Sequence, residues 1–354
     1  MQTPCDVSRR SVLLSLAALV AWLAAQTVRP TIRVRGINHV TLAVSDVKRS
    51  VDFYQGLFGM PVMSRQGIAT NLQIGAGPQH LGITAAGSSP PRIDHLCLGV
   101  EDFSVERLAR ILAQHDVTRV VELTAGGSGA LSAGPMRMRV RMRGPDAGGA
   151  REGTPEIYVS DPNGFVFQLQ DPRYCGGGGP VGNVCPAPEP PPTRGLLALR
   201  GWNHCTNSVP DPALSRRFVQ DVFGLGIQAY QGPTAPVFGV GDGAEFLMFT
   251  AGGGGRGGAA SAPRAGINHL CMTVEPFQPD AIIKALERYG IAPRGSAPGA
   301  PGPLVHYVSM RRADRGGAPD GTPELYFTDP DGLPIQLQDV SYCGGAGVLG
   351  NVCP

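Results

Sequence analysis

The chain has 354 residues, with 30 Lys and Arg against 28 Asp and Glu, a formal charge of +2 and no dense basic block. Charge this close to balance sets up no field to draw in nucleic acid or an anionic membrane surface, so a small molecule is the expected partner. A length above 300 residues outgrows one ordinary core and predicts two domains.

At the amino end, Ser8-Arg9-Arg10 precedes an apolar run from Ser11 to Ala25. Paired arginines ahead of an apolar stretch shorter than the roughly 20 residues that cross a bilayer read as a twin-arginine export signal, cleaved near Ala25. Residues 1–30 are therefore set apart from the fold, and the expected location is the periplasm or the exterior; a retained membrane anchor is the alternative.

Beyond that segment the chain repeats itself. Gly36-Ile-Asn-His-Val-Thr-Leu-Ala-Val44, Arg92-Ile-Asp-His-Leu-Cys-Leu-Gly-Val100, Gly201-Trp-Asn-His-Cys-Thr-Asn-Ser-Val209 and Gly266-Ile-Asn-His-Leu-Cys-Met-Thr-Val274 align without gaps. Each alternates like a strand and holds a histidine in the same slot: His39, His95, His204 and His269. The segments that follow, such as Val47 to Phe58 and Leu214 to Phe223, space their apolar residues like helices. Short strands bounded by glycine or by Asp-Pro-x-Gly turns at Asp161 and Asp329 complete a β-α-β-β-β order, four times over.

A larger repeat lies over this one. Gly153-Thr-Pro-Glu-Ile-Tyr-Val-Ser-Asp-Pro-Asn-Gly164 returns as Gly321-Thr-Pro-Glu-Leu-Tyr-Phe-Thr-Asp-Pro-Asp-Gly332, and both copies end in Gly-rich tails bracketed by cysteines. The expected division is a first domain over 31–185, a Pro-rich linker over 186–198 and a second domain over 199–354. In an oxidising setting, Cys175 with Cys185 and Cys343 with Cys353 are candidate disulfides, cross-pairing between the tails being the rival.

The Asn-His openings, Ser50-Val-Asp-Phe-Tyr-Gln-Gly-Leu-Phe-Gly-Met-Pro61 and the Asp-Pro-x-Gly turns leading into Gln168 and Gln336 resemble the vicinal oxygen chelate superfamily of glyoxalases, bleomycin-resistance proteins, epimerases and extradiol dioxygenases. The resemblance covers nearly all of the chain after residue 30. It implies an α+β fold in which βαβββ modules pair into two domains, each with a cleft enclosed by curved mixed sheet. It also implies metal ligands on the first and last strands of each module.

Carried onto this chain, that rule points to His204, Glu245, His269 and Gln336 as the main site. A second set comprises His39, His80, His95 and Gln168. Aligning His39 on His204 carries His80 onto Glu245, and strand parity separates Gln168 and Gln336 from the greasy faces beside them. Two imidazoles and a carboxylate suit Fe, Zn, Mn or Ni, so one divalent ion is expected, and two if both sets are filled. The dioxygenase relatives carry a carboxylate where this chain has Gln168 and Gln336, which puts ring cleavage in doubt.

Further candidates are Glu324 as a proton-transfer base, with Tyr326 on the same strand face. Arg137, Arg139, Arg141 and Arg143 share one strand face, read as a solvated outer face; Arg143 and its counterpart Arg311 are candidate contacts for an anionic substrate. Cys97 and Cys271 read as small buried packing residues.

The expected function is an exported metal-dependent lyase, isomerase or ring-cleaving oxygenase acting on a small oxygen-rich molecule, as a monomer or homodimer. A metal-free protein that binds or sequesters a small molecule in the same clefts is the alternative.

Overall fold

The computed structural model describes residues 29–120, 123–124, 131, 134–252, 264–296 and 299–354. Residues 1–28, which hold the run read as an export signal, lie outside the described residues, and among the described residues no helix is long and apolar enough to cross a membrane.

The first half runs β1 (Val34–Val44), α1 (Val47–Phe58), β2 (Val62–Gln66), β3 (Ala69–Gln73), β4 (His80–Ala85), β5 (Arg92–Val100), α2 (Val105–Gln114), β6 (Thr118–Arg119), β7 (Leu123–Thr124), β8 (Arg137–Arg143), β9 (Thr154–Ser160) and β10 (Val166–Gln170). The second half runs β11 (Leu199–Val209), α3 (Pro212–Phe223), β12 (Ile227–Tyr230), β13 (Pro236–Gly239), β14 (Phe246–Ala251), β15 (Gly266–Val274), α4 (Pro279–Arg288), β16 (Ala292–Pro293), β17 (Val305–Arg311), β18 (Thr322–Thr328) and β19 (Pro334–Asp339).

Local chemistry marks the helix ends. Asp46 caps α1 by accepting from the Arg49 amide, and Gly59 closes it in the left-handed conformation that glycine adopts without a steric penalty. Asp211 and Gly224 do the same for α3, with Pro212 in the first turn, where a missing N–H costs nothing.

Each half builds its own mixed sheet. The first has the order β2-β3-β4-β1-β5-β10-β9-β8-β6, with β7 also on β8; the second has β12-β13-β14-β11-β15-β19-β18-β17-β16. The opening strands of two modules therefore pair at the centre, β1 antiparallel to β5 and β11 antiparallel to β15. This is the fold of two vicinal oxygen chelate domains, as the resemblance implied.

Residues directly opposite on neighbouring strands share a face. One row crosses the first sheet from His80 through His39, Cys97, Gln168 and Tyr158 to Arg139. Its counterpart runs from Phe246 through His204, Cys271, Gln336 and Tyr326 to Tyr307. The opposite face is core: Leu96, Leu98, Met138, Val140, Ile157, Val159, Phe167 and Leu169 are all buried.

Thr31–Pro354 forms one compact unit, and its halves pack reciprocally. Phe53 and Phe58 of α1 lie against Phe327 of β18, while Phe218 and Phe223 of α3 lie against Phe167 of β10. The Asp-Pro-x-Gly turns join the exchange, Asp161 accepting from the Ser215 hydroxyl and Asp329 from the Tyr54 hydroxyl. Each half thus covers apolar surface of the other, and hydrophobic burial couples them.

Candidate functional site

The module-opening histidines meet in pairs. In the first half, Nε2 of His39 and Nε2 of His95 lie 3.1 and 3.0 Å from Oε1 of Gln168. Adjacent ligands about 2.1 Å from one metal ion, at about 90°, are themselves about 3.0 Å apart, so these three atoms have the spacing of a ligand set. In the second half, Nε2 of His204 and Nε2 of His269 are 3.3 Å apart, and Gln336 bonds His204.

The residue before each histidine sets its tautomer. The Asn38 amide nitrogen donates to the Tyr174 carbonyl at 2.9 Å, leaving its oxygen to accept from His39 Nδ1 at 2.8 Å. Asn203 repeats this with the Tyr342 carbonyl and His204 Nδ1. Asp94 and Asn268 stand likewise beside Nδ1 of His95 and His269. With Nδ1 donating, Nε2 presents a lone pair. Two such nitrogens at 3.3 Å repel unless a cation or proton lies between them, so both sets have the donor chemistry of a metal site.

Burial lowers the pKa of His39, His80 and His204. The pKa of His39 is held well below the usual value by desolvation, then by His80 and His95, against the pull of Gln168. Burial and then the neighbouring His269 depress His204. His80 falls to about 4, chiefly through burial. It stacks on His39 at 4.4 Å and turns Nδ1 to the Pro78 carbonyl, so it packs face to face on a ligand candidate instead of converging on the same point. Among the described residues, no three of His, Cys, Asp and Glu are arranged to hold a metal ion; each candidate set relies on a glutamine amide.

Four expectations need correction. The position matching His80 is Phe246, which pairs in register with His204 and stacks on it at 4.3 Å. Glu245 therefore falls outside the second site. Its carboxylate accepts from the Ile37 amide at 2.6 Å and lies against Gly36 and Gln79 of the first half. The ungapped alignment failed because the stretch from His204 to β14 is one residue longer than that from His39 to β4. The second half consequently loses the carboxylate on which its priority rested.

The arginine row of β8 does not point outward. Arg139 is opposite Tyr158 and Arg141 opposite Glu156, on the His-bearing face, while Met138 and Val140 take the core side. Arg143 and Arg311 are fully buried, and their guanidinium groups are engaged within the protein. Arg143 donates to Glu156 at 2.7 Å and to the Ala147 and Gly177 carbonyls; Arg311 donates to Glu324 at 2.8 Å and to the Arg315 and Gly345 carbonyls. Neither is placed to meet a substrate.

Glu324 is the partner of that buried arginine and also accepts from the Tyr342 hydroxyl at 3.0 Å, so it anchors the tail and is not poised as a base. Tyr326 lies edge-on to His269, 5.3 Å between ring centroids, and Tyr158 matches it beside His95 at 5.6 Å. Tyr174 and Tyr342, which sequence reasoning passed over, stack on His39 and His204.

The tails close on themselves, with disulfides Cys175–Cys185 and Cys343–Cys353. Cys97, Cys205 and Cys271 are buried free thiols, and burial raises their pKa values.

Residues 36–169 match the model of the Glyoxalase/Bleomycin resistance protein/Dioxygenase superfamily. Among solved structures, the chain resembles the Mn(II)-bound glyoxalase from Novosphingobium aromaticivorans at 16% identity and a TM-score of 0.57, covering 86% of this chain and 82% of that one. It also resembles homoprotocatechuate 2,3-dioxygenase from Brevibacterium fuscum in complex with 3,4-dihydroxyphenylacetate, at 17% identity and a TM-score of 0.57, covering 89% and 83%. A catechol 2,3-dioxygenase aligns at 15% identity and a TM-score of 0.54, over 90% and 89%. A search of curated protein sequences found no match.

Proposed function

We propose that the chain, whose residues 36–169 match the Glyoxalase/Bleomycin resistance protein/Dioxygenase superfamily, is a divalent-metal-dependent enzyme of that superfamily whose leading site is formed by His39, His95 and Gln168. The observation that carries this reading is that Nε2 of His39 and Nε2 of His95 lie 3.1 and 3.0 Å from Oε1 of Gln168, all three on buried side chains. A divalent ion bound there would act as a Lewis acid on adjacent substrate oxygens, lowering the cost of enolate-like charge. All three ligand candidates are uncharged, which leaves the ion's charge available to substrate and favours proton-transfer chemistry of the isomerase or lyase kind over ring cleavage.

The chain's own residues supply orientation. Asn38 and Asp94 hold His39 and His95 in the tautomer that aims Nε2 inward, Tyr174 packs on one ring and Tyr158 on the other. His204, His269 and Gln336 repeat the arrangement and form a second, equivalent metal set. The glyoxalase and dioxygenase relatives support the class of reaction but leave the substrate open.

A metal-free binding protein is the second reading, favoured by the reliance of each set on a glutamine in place of a third His or acid. Metal-loaded protein should speed solvent-proton exchange at carbon next to the carbonyl of a small 2-oxo acid or hydroxyketone, followed by NMR in D2O. Replacing His39, His95, His204 and His269 together by Ala should abolish that exchange; exchange that is absent from metal-loaded protein, or survives the fourfold substitution, would favour the binding reading. Export to an oxidising compartment is the proposed setting, supported by the paired arginines and two disulfides, and signal-dependent periplasmic fractionation tests it.

A further inference from the structure

The duplicated halves keep the module-opening histidines, Asn38 and Asn203, the tail tyrosines and the buried Arg–Glu pair, yet beyond the exchange of His80 for Phe246 they differ along a further strand of the His-bearing face. Where β8 presents Arg137, Arg139 and Arg141, β17 presents Val305, Tyr307 and Ser309 at the same register. In the second half Tyr307 stacks on Tyr326 at 5.1 Å and has the Arg294 guanidinium over its ring, 5.2 Å from the centroid, while Ser309 stands where Arg141 does.

In the first half, Glu156 closes on Arg143 at 2.7 Å and stands 3.8 Å from Arg141. One carboxylate thus faces two guanidinium groups, and the tighter pairing belongs to the fully buried Arg143. Arg141 keeps 30% side-chain exposure and lies beside Tyr158, whose ring is 5.6 Å from that of His95. A guanidinium one aromatic side chain away from the converging His39, His95 and Gln168 atoms, with its charge only partly matched, is a ready partner for an anion held at those atoms.

We propose that the first cleft takes an anionic ligand, one bearing a carboxylate beside its adjacent oxygens, and that Arg141, which has Ser309 as its counterpart in the second half, holds that charge. The assignment builds on the reading of the clefts as metal sites, but the charge preference itself needs no metal. A charge-assisted contact of this kind corresponds to about tenfold or more in affinity.

The test is calorimetric titration of the full chain with 3,4-dihydroxybenzoate and with its uncharged methyl ester, each in Mn2+ and again in EDTA. The acid should bind about tenfold or more tightly than the ester. Arg141→Gln should remove the preference and Arg141→Lys should keep most of it, which separates charge from misfolding. His39→Ala/His95→Ala should weaken both ligands in Mn2+ while the preference persists. Equal affinities for acid and ester, no binding of the acid at millimolar concentration, a preference unchanged in Arg141→Gln, or one lost only in His204→Ala/His269→Ala would overturn the proposal. If Mn2+ alters neither affinity while the preference still follows Arg141, the metal reading fails and the anion site stands.

Discussion

Replacing Glu245 by Gln should stabilise the metal-free protein at alkaline pH and leave it unchanged near pH 5. The Glu245 carboxylate is enclosed between the halves, taking the Ile37 amide at 2.6 Å and facing Gly36 and Gln79. Burial pushes its pKa from 4.5 up to about 8, against the opposing pull of the Ile37 hydrogen bond. The folded state therefore holds this proton more tightly than the unfolded chain does. Its contribution is intact below the unfolded value and is lost as pH rises toward the folded one. At 1.36 kcal/mol for each tenfold change in proton affinity, the rise from 4.5 to about 8 sets an upper bound of about 5 kcal/mol. The residue keeps some exposure at its loop, so water will reduce that figure. Glutamine suits the position: the first half already has Gln79 there, and an amide oxygen accepts from Ile37 equally well. Urea unfolding in EDTA between about pH 5 and pH 9 should show wild-type stability falling relative to the variant's as pH rises. Parallel profiles, or a variant less stable at the alkaline end, would refute the argument.

Two further substitutions test the site's supports. Asn38→Ala removes the group that orients His39 and should weaken divalent-metal affinity about 10- to 100-fold in a chelator competition, with the fold intact by circular dichroism. Arg143→Met leaves Glu156 buried without its main partner and should cost about 3–5 kcal/mol in urea unfolding, whereas adding Glu156→Leu should restore much of the loss, since the double change leaves no unpaired buried charge.

The fold was legible because it is written repeatedly: one strand-helix pattern with the same histidine slot recurs through the chain, and the tail cysteines close as their short spacing suggested. Strand parity also separated Gln168 from Phe167 and Leu169 correctly. Parity says only which residues share a face, and it left the arginines of β8 without a side; the buried Met138 and Val140 opposite them decide it. The position of Glu245 was illegible for another reason. A single extra residue in a loop moves every following side chain to the opposite face, and no local pattern marks it. The orienting residues were in plain sight, since an Asn or Asp precedes each of the four histidines, but their role depends on bends that bring neighbouring side chains together. The reciprocal packing of α1 and α3 on the opposite halves has no signature in the sequence, because an apolar helix face does not name its partner.

Whether the histidine sets are metal sites is decided by the metal content of the protein, purified without metal-affinity resin and measured by plasma mass spectrometry after reconstitution. Bound divalent metal should fall in His39→Ala/His95→Ala, fall separately in His204→Ala/His269→Ala, and be unchanged in Glu245→Gln. Absence of metal after reconstitution, or metal that survives loss of all four histidines, would contradict the metal reading.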